Sequence, residues 1–139
     1  MRILAVDPGQ KRIGIAISDP TASIANPLTV LQHISRPVDA AVIIAIAAEH
    51  EAGLIVVGQS LDEQGQPTLE GRRATRLAAA IKAQTDLPVE LWDESFSTSE
   101  ARAARLALGS PRRRRRGHLD ELAATVILQS YLDSLAIKR

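Results

Sequence analysis

Three short stretches hold acids where an acid can do chemistry: ILAVDPG reaches Asp7, VELWDES reaches Asp93 and Glu94, and HLDEL carries Asp120 and Glu121. The first two are apolar, strand-like runs that terminate in carboxylates. In open α/β sheets, sites form beyond the carboxyl ends of parallel strands. If these two strands run parallel, Asp7 and the Asp93–Glu94 pair emerge at one edge of the sheet. Turn chemistry explains Asp-Pro-Gly by itself, because Pro presets one backbone angle, Gly tolerates a positive one and Asp can hydrogen-bond its own backbone. It does not explain the pairing with a second acidic strand end.

Asp120 needs a further reason to be where it is. On a wheel of about 100° per residue, it shares a stripe with Ala123, Ala124, Ile127 and Tyr131. A carboxylate on a core-facing stripe is costly unless it is paired, hydrogen-bonded or bound to a cation. Glu121 lies near the edge of the stripe, where the favourable field of a helix start accounts for it. Three carboxylates brought together repel one another unless one or two divalent cations sit among them. Oxygen donors, no cysteine and no paired histidine motif fit Mg²⁺ or Mn²⁺ better than Zn²⁺. Two such ions about 3.5–4 Å apart can activate a water, hold a scissile phosphate and stabilise the leaving oxygen, so the implied reaction is phosphodiester hydrolysis. Asp19, Asp62, Glu63 and Asp133 carry no such placement and read as solvated or turn residues.

The elements that would position these acids follow from the hydrophobic pattern. Arg2 to Asp7, Arg12 to Ser18 with alternating Ile13, Ile15 and Ile17, and roughly Pro27 to Gln32 read as three consecutive strands. Pro37 suits the first turn of an Ala- and Ile-rich helix running to about Ala52. Leu54 to Val57 is a short buried strand, SLDEQGQPTLEG a polar loop, Arg72 to Gln84 a helix, and Pro88 to Trp92 another strand. Ser97 and Glu100 have capping-box spacing for a helix that stops near Gly109-Ser110-Pro111. The arginine run that follows reads as a loop, and His118 to about Ile137 as the last helix. A strand meander followed by alternation predicts an α/β fold: one mixed sheet, helices on its faces, and the later strands parallel to the first.

Composition bounds the answer. The chain has 139 residues and no cysteine. That length suits one domain spanning residues 1–139, with a core that needs no staples. Absence of cysteine excludes disulfides and thiolate metal sites, and fits a reducing cytoplasm. No signal-like start and no run near the ~20 apolar residues of a membrane span are present, so a soluble, cytoplasmic protein with no membrane partner is expected.

Net charge is only +1, yet Arg112, Arg113, Arg114, Arg115 and Arg116 are consecutive. Such a block in a nearly neutral chain is a local sink for phosphates, giving affinity without sequence specificity. Lys11 and Arg12 follow the first acid and could neutralise a bound phosphate. His118, Ser97 and Thr98 read as helix-start residues. Aromatics are limited to Trp92, Phe96 and Tyr131, which counts against binding by base stacking.

These residues resemble the YqgF/RuvX family, described as Holliday-junction-resolvase-like proteins and as nucleases proposed to mature the 5′ end of 16S ribosomal RNA. The resemblance rests on VDPGQKRIGIAISD, IVVGQSLDEQG, LWDESFSTSEA and DELAATVILQSYLD, and covers nearly the whole chain. It implies an RNase H-like fold with an initial three-strand antiparallel meander, and a Mg²⁺- or Mn²⁺-dependent site formed by Asp7, Glu94 and Asp120. Strand alternation places Asp93 and Glu94 on opposite faces without choosing between them; the resemblance favours Glu94, with Asp93 in reserve. Two positions depart from the family's pattern: Gln59-Ser60 stands where Leu-Pro is usual, and Ser95 where an arginine follows the acidic pair.

The expected partner is nucleic acid, with a ribosomal RNA precursor favoured and branched DNA an alternative, acted on by a monomer or a weak homodimer. A noncatalytic module that binds RNA or a ribosomal precursor is the other serious reading. Actin-like ATPases and sugar kinases open with a similar strand and turn, but need a second such domain that this length does not hold.

Overall fold

The computed structural model describes residues 1–94 and 112–138, and the side chains of 1–94 and 122–137. The elements are β1 (Arg2–Pro8), β2 (Arg12–Ser18), β3 (Ala25–Gln32), α1 (Arg36–Glu49), β4 (Ala52–Gln59), α2 (Leu69–Lys82), β5 (Val89–Asp93) and α3 (Arg112–Lys138). The strands form one sheet in the order β3-β2-β1-β4-β5. β1, β2 and β3 pair antiparallel, whereas β1–β4 and β4–β5 are parallel. This is the mixed sheet that the strand pattern predicts, and it sends the carboxyl ends of β1, β4 and β5 to one edge.

Alternation along the strands divides the core between two faces. Leu4, Val6, Ile13, Ile15, Ile55 and Val57 pack with Ala40 and Ile43 of α1 and Leu77 and Ile81 of α2. Ile3, Ala5, Ala16, Leu54 and Val56 face the other way, onto Ala124, Leu128, Tyr131 and Leu132 of α3. Helices therefore cover both faces.

Local chemistry sets the helix ends. Ser35 caps α1 by accepting the Val38 N–H at 3.4 Å, with Pro37 in the first turn. Thr68 caps α2 by accepting from Gly71 at 3.0 Å, and the helix starts at Leu69, three residues ahead of the start expected from periodicity alone. The expected run of α1 to Ala52 is too long. Glu51 adopts φ 56°, which turns the chain, and Ala52 already pairs with Arg2 as the start of β4.

The assignment of the arginine run to a loop is corrected: α3 begins at Arg112, so those residues form its first turns. Arginine is among the better helix formers, and the single Gly117 costs only about 1 kcal/mol in a long helix. The capping box at Ser97 and Glu100 and the stop at Gly109-Ser110-Pro111 lie outside the described residues. Among the described residues, no helix is long and apolar enough to cross a membrane.

Candidate active site

Asp7 is half-buried near the end of β1, paired with Gly14 of β2. It has the parity of Ile3 and Ala5, so it belongs to the face covered by α3. Pro8 extends the strand by one residue, and the Gly9 N–H donates to the Arg12 carbonyl at 2.9 Å to close the turn. A Cβ at Gly9 would collide with that carbonyl oxygen, which is why the turn needs glycine. The tight turn thus runs from Gly9 to Arg12, with Asp7 and Pro8 still in the strand, and it leaves a carboxylate at the sheet edge.

Beside Asp7 runs the end of β4. The register pairs Val6 with Val57, which brings Gly58 next to Asp7. A Cβ on Gly58 would stand 2.6 Å from Cδ1 of Ile127, so the missing side chain lets α3 lie directly on the strand end. β5 completes the edge, with Trp92 opposite Gly58 and Asp93 opposite Gln59.

Two hydrogen bonds bind β5 to α3. Trp92 Nε1 donates to Ser130 Oγ at 3.1 Å, and the Tyr131 hydroxyl donates to Glu90 Oε2 at 2.5 Å. The Trp92 and Tyr131 rings meet edge-on with centroids 5.2 Å apart. Burial, followed by the Glu90 carboxylate, pushes the Tyr131 phenol well above its usual value. Glu90 and Trp92 thus look toward α3, Asp93 has the opposite parity as the last residue of β5, and Glu94 is the first residue beyond the strand. Glu94 and Asp93 are both half-buried and both have interaction partners.

Along α3, Ala124, Ile127 and Leu128 are fully buried and Tyr131 nearly so. Position 120 lies one turn before Ala124 on that stripe, and seven residues, about 10 Å of helix, before Ile127. Since Ile127 already sits over the end of β4, position 120 belongs to the part of the helix at the carboxyl edge of the strands. The side chains of Asp120, Glu121, His118 and Arg112 to Arg116 lie outside the described residues. Lys11 and Arg12 are exposed in the β1–β2 turn at the same edge.

Among the described residues, no three His, Asp or Glu side chains converge as a metal site, and the side chain of Asp120, the third expected ligand, is not among those described. The candidate donor set is carboxylate throughout, and the chain holds no thiol. That chemistry fits a hard divalent cation.

The departures from the family's pattern have local consequences. Gln59 Nε2 donates to Thr75 Oγ1 at 2.7 Å, joining β4 to α2. The Ser60 carbonyl accepts the Thr68 N–H at 3.0 Å, and only glycine fits at position 71 against it. Ser95 lies outside the described residues. Sequence reasoning missed the Trp92–Ser130 and Tyr131–Glu90 pairs, which no local pattern marks. It also passed over Asp39, which is 4% exposed and bonded to His33.

The chain as a whole is similar to known proteins. A family model described as "RuvX: Holliday junction resolvase" matches residues 1–134. A Syntrophus aciditrophicus protein named "Putative pre-16S rRNA nuclease" is 38% identical over 136 residues, covering 98% of this chain and 91% of that one. A protein of the same name from an Anaeromyxobacter species is 41% identical over 133 residues, covering 96% and 97%. Among solved structures, the chain is similar to Thermus thermophilus RuvC, with TM-score 0.61, 13% identity and 96% of each chain covered. It is also similar to the fowlpox virus Holliday junction resolvase, with TM-score 0.55, 15% identity and 96% and 99% covered. These likenesses establish the fold as RNase H-like.

Proposed function

This chain belongs to the RuvX family, and on that premise we propose that it is a divalent-metal-dependent endonuclease, with the precursor of 16S ribosomal RNA as its substrate. Asp7, Glu94 and Asp120 are its catalytic acids and would hold Mg²⁺ or Mn²⁺. The observation that carries this reading is the edge the strand ends share. Asp7 on β1 has the parity of the face on which α3 lies, and the parallel β1–β4–β5 pairing brings Asp93, the last residue of β5, and Glu94, the residue after it, to the same edge. The choice of substrate is supported by relatives about two-fifths identical over nearly their whole length.

The bound cation supplies a polarised water and charge neutralisation at the phosphate. The chain's own contribution is positional. Asp7 is fixed by the β1–β2 turn, and α3 is fixed on β4 and β5 by Gly58, Trp92 and Tyr131. Lys11, Arg12 and the arginines at the start of α3 draw the polyanion to this edge, so binding weakens steeply with salt. The protein is proposed to act as one domain in the cytoplasm, alone or as a weak homodimer.

The test is incubation with precursor 16S RNA and with branched DNA, in Mg²⁺ and in Mn²⁺, comparing wild type with Asp7→Asn and Asp120→Asn. Cleavage near the RNA 5′ end that disappears in both variants is expected. Cleavage surviving both substitutions would sink the site. Cutting of branched DNA alone would redirect the activity to junction resolution, and equal binding without cleavage by any of the three would make the protein a noncatalytic module.

A further inference from the structure

The carboxyl edge of the sheet also has a side facing away from α3. Pro8, the residue after Asp7, forms with Gly9 and Ile13 one wall of a small, open cleft. His33, Arg36 and Asp39 from the start of α1, and Arg73 and Leu77 from the first turns of α2, complete it.

Asp39 is the carboxylate of this cleft, and both its oxygens are engaged. Oδ1 accepts the Ile34 N–H at 3.0 Å, and Oδ2 lies 2.5 Å from His33 Nδ1. A buried carboxylate that accepts from Nδ1 fixes the ring and leaves its other nitrogen uncommitted, with the His33 side chain still 40% exposed. The side chains of Arg36 and Arg73 make no hydrogen bond or ion pair among the described residues. Two arginines therefore line a concave site whose one carboxylate already serves a histidine. The forked donors of guanidinium match the oxygens of a phosphate.

Position says which phosphate. Asp7 and Pro8 are consecutive on β1, about 3.4 Å apart along the strand and of opposite parity. A nucleic-acid strand engaged at Asp7 and passing over the sheet edge arrives at this cleft. We propose that the cleft binds a backbone phosphate flanking the cut bond, with Arg36 and Arg73 as its ligands and the His33–Asp39 pair as a further, oriented contact. This inference rests on the nuclease reading of the Asp7 edge.

The experiment measures binding of a labelled single-stranded RNA and a labelled DNA duplex over a salt series in a chelator, so that no cleavage intervenes. The proteins are wild type, Arg36→Gln/Arg73→Gln, Arg73→Lys, and Lys82→Gln at the far end of α2 as control. The double variant is expected to bind about tenfold more weakly, with a salt slope shallower by about 0.7–0.9, one phosphate's worth of counterions. Arg73→Lys falls between it and wild type, because charge remains but the fork is lost. Lys82→Gln matches wild type.

Equal affinity and slope for wild type and double variant, with wild type still cleaving, overturns the cleft and leaves the nuclease reading standing. Arginine-dependent binding by a wild type that never cleaves supports the cleft and counts against that reading. Inorganic phosphate and a mononucleotide are titrated in parallel. Arginine-dependent binding of these with no change for either polymer overturns the backbone assignment, as does a wild type that binds neither polymer.

Discussion

Beneath α1 and α2 the sheet presents Leu4, Val6, Ile13, Ile15, Ile55 and Val57, a continuous layer of branched aliphatics. Toward α3 it presents Ala5, Ala16 and Gly58 among larger residues, and hydrogen bonds supplement the apolar contact. Trp92 bonds Ser130, Tyr131 bonds Glu90, and Gln129 accepts the Ala25 N–H at 2.9 Å while donating to the Ser23 carbonyl at 3.1 Å. The first face supplies burial, which scales with area and tolerates small shifts. The second supplies close approach and directional bonds, which set where a helix lies along a strand. A site shared between strand ends and a helix needs that second kind of packing.

The contrast predicts separable defects. Ile55→Ala, in the aliphatic layer, is expected to lose about 2–5 kcal/mol in denaturant unfolding, while the protein that remains folded cleaves normally. A comparable loss of turnover in folded Ile55→Ala protein would erase the distinction between the faces. Gly58→Val is expected to cost about 1–3 kcal/mol and to reduce cleavage out of proportion, because α3 must move off the strand end that carries the site. The milder Gly58→Ala, combined with Ile127→Val, is expected to recover part of both. Failure to recover would mean that some other contact sets the position of α3.

Tyr131→Phe is the smaller test, removing one hydrogen bond of about 1 kcal/mol on the α3 face. It carries a pH signature. The phenol is raised in the folded protein, first by burial and then by Glu90, so its contribution to stability is complete below the ordinary phenol range near 10 and is lost as pH rises above it. Tyr131 is the chain's single tyrosine, so an absorbance titration reads this group alone. Tyr131→Phe is expected to flatten the alkaline loss of stability, and an unchanged profile would remove Tyr131 from the account. The least effect is expected from Asp19→Asn. Asp19 is held well below the carboxylate range by the Thr21 hydroxyl and the Ile24 and Ser23 N–H groups, so the substitution loosens the β2–β3 turn without changing cleavage.

How much of this was legible depends on the range of the interaction. The strands were readable because alternation and apolar runs are local, and β2 matches its expected span from Arg12 to Ser18. Asp7 and the acidic pair stood out because they end such strands. The start of α3 was misjudged because a run of like charges suggests repulsion, whereas arginine's helix propensity prevails. Trp92–Ser130 and Tyr131–Glu90 join residues about forty apart, so nothing near either partner announces the other. The cleft was hidden for the same reason, since Pro8, His33, Arg36 and Arg73 meet only when β1, α1 and α2 share an edge.

The central proposal is that Asp7, Glu94 and Asp120 hold the cation, and that Asp93 does not. Calorimetric titration of Mn²⁺ into wild type, Asp7→Asn, Glu94→Gln and Asp93→Asn tests it without a substrate, with thermal unfolding to show that each variant is folded. The account predicts that Asp7→Asn and Glu94→Gln each weaken Mn²⁺ binding by about tenfold or more, while Asp93→Asn binds as wild type does. Wild-type affinity in folded Asp7→Asn, or loss in Asp93→Asn with retention in Glu94→Gln, would contradict it.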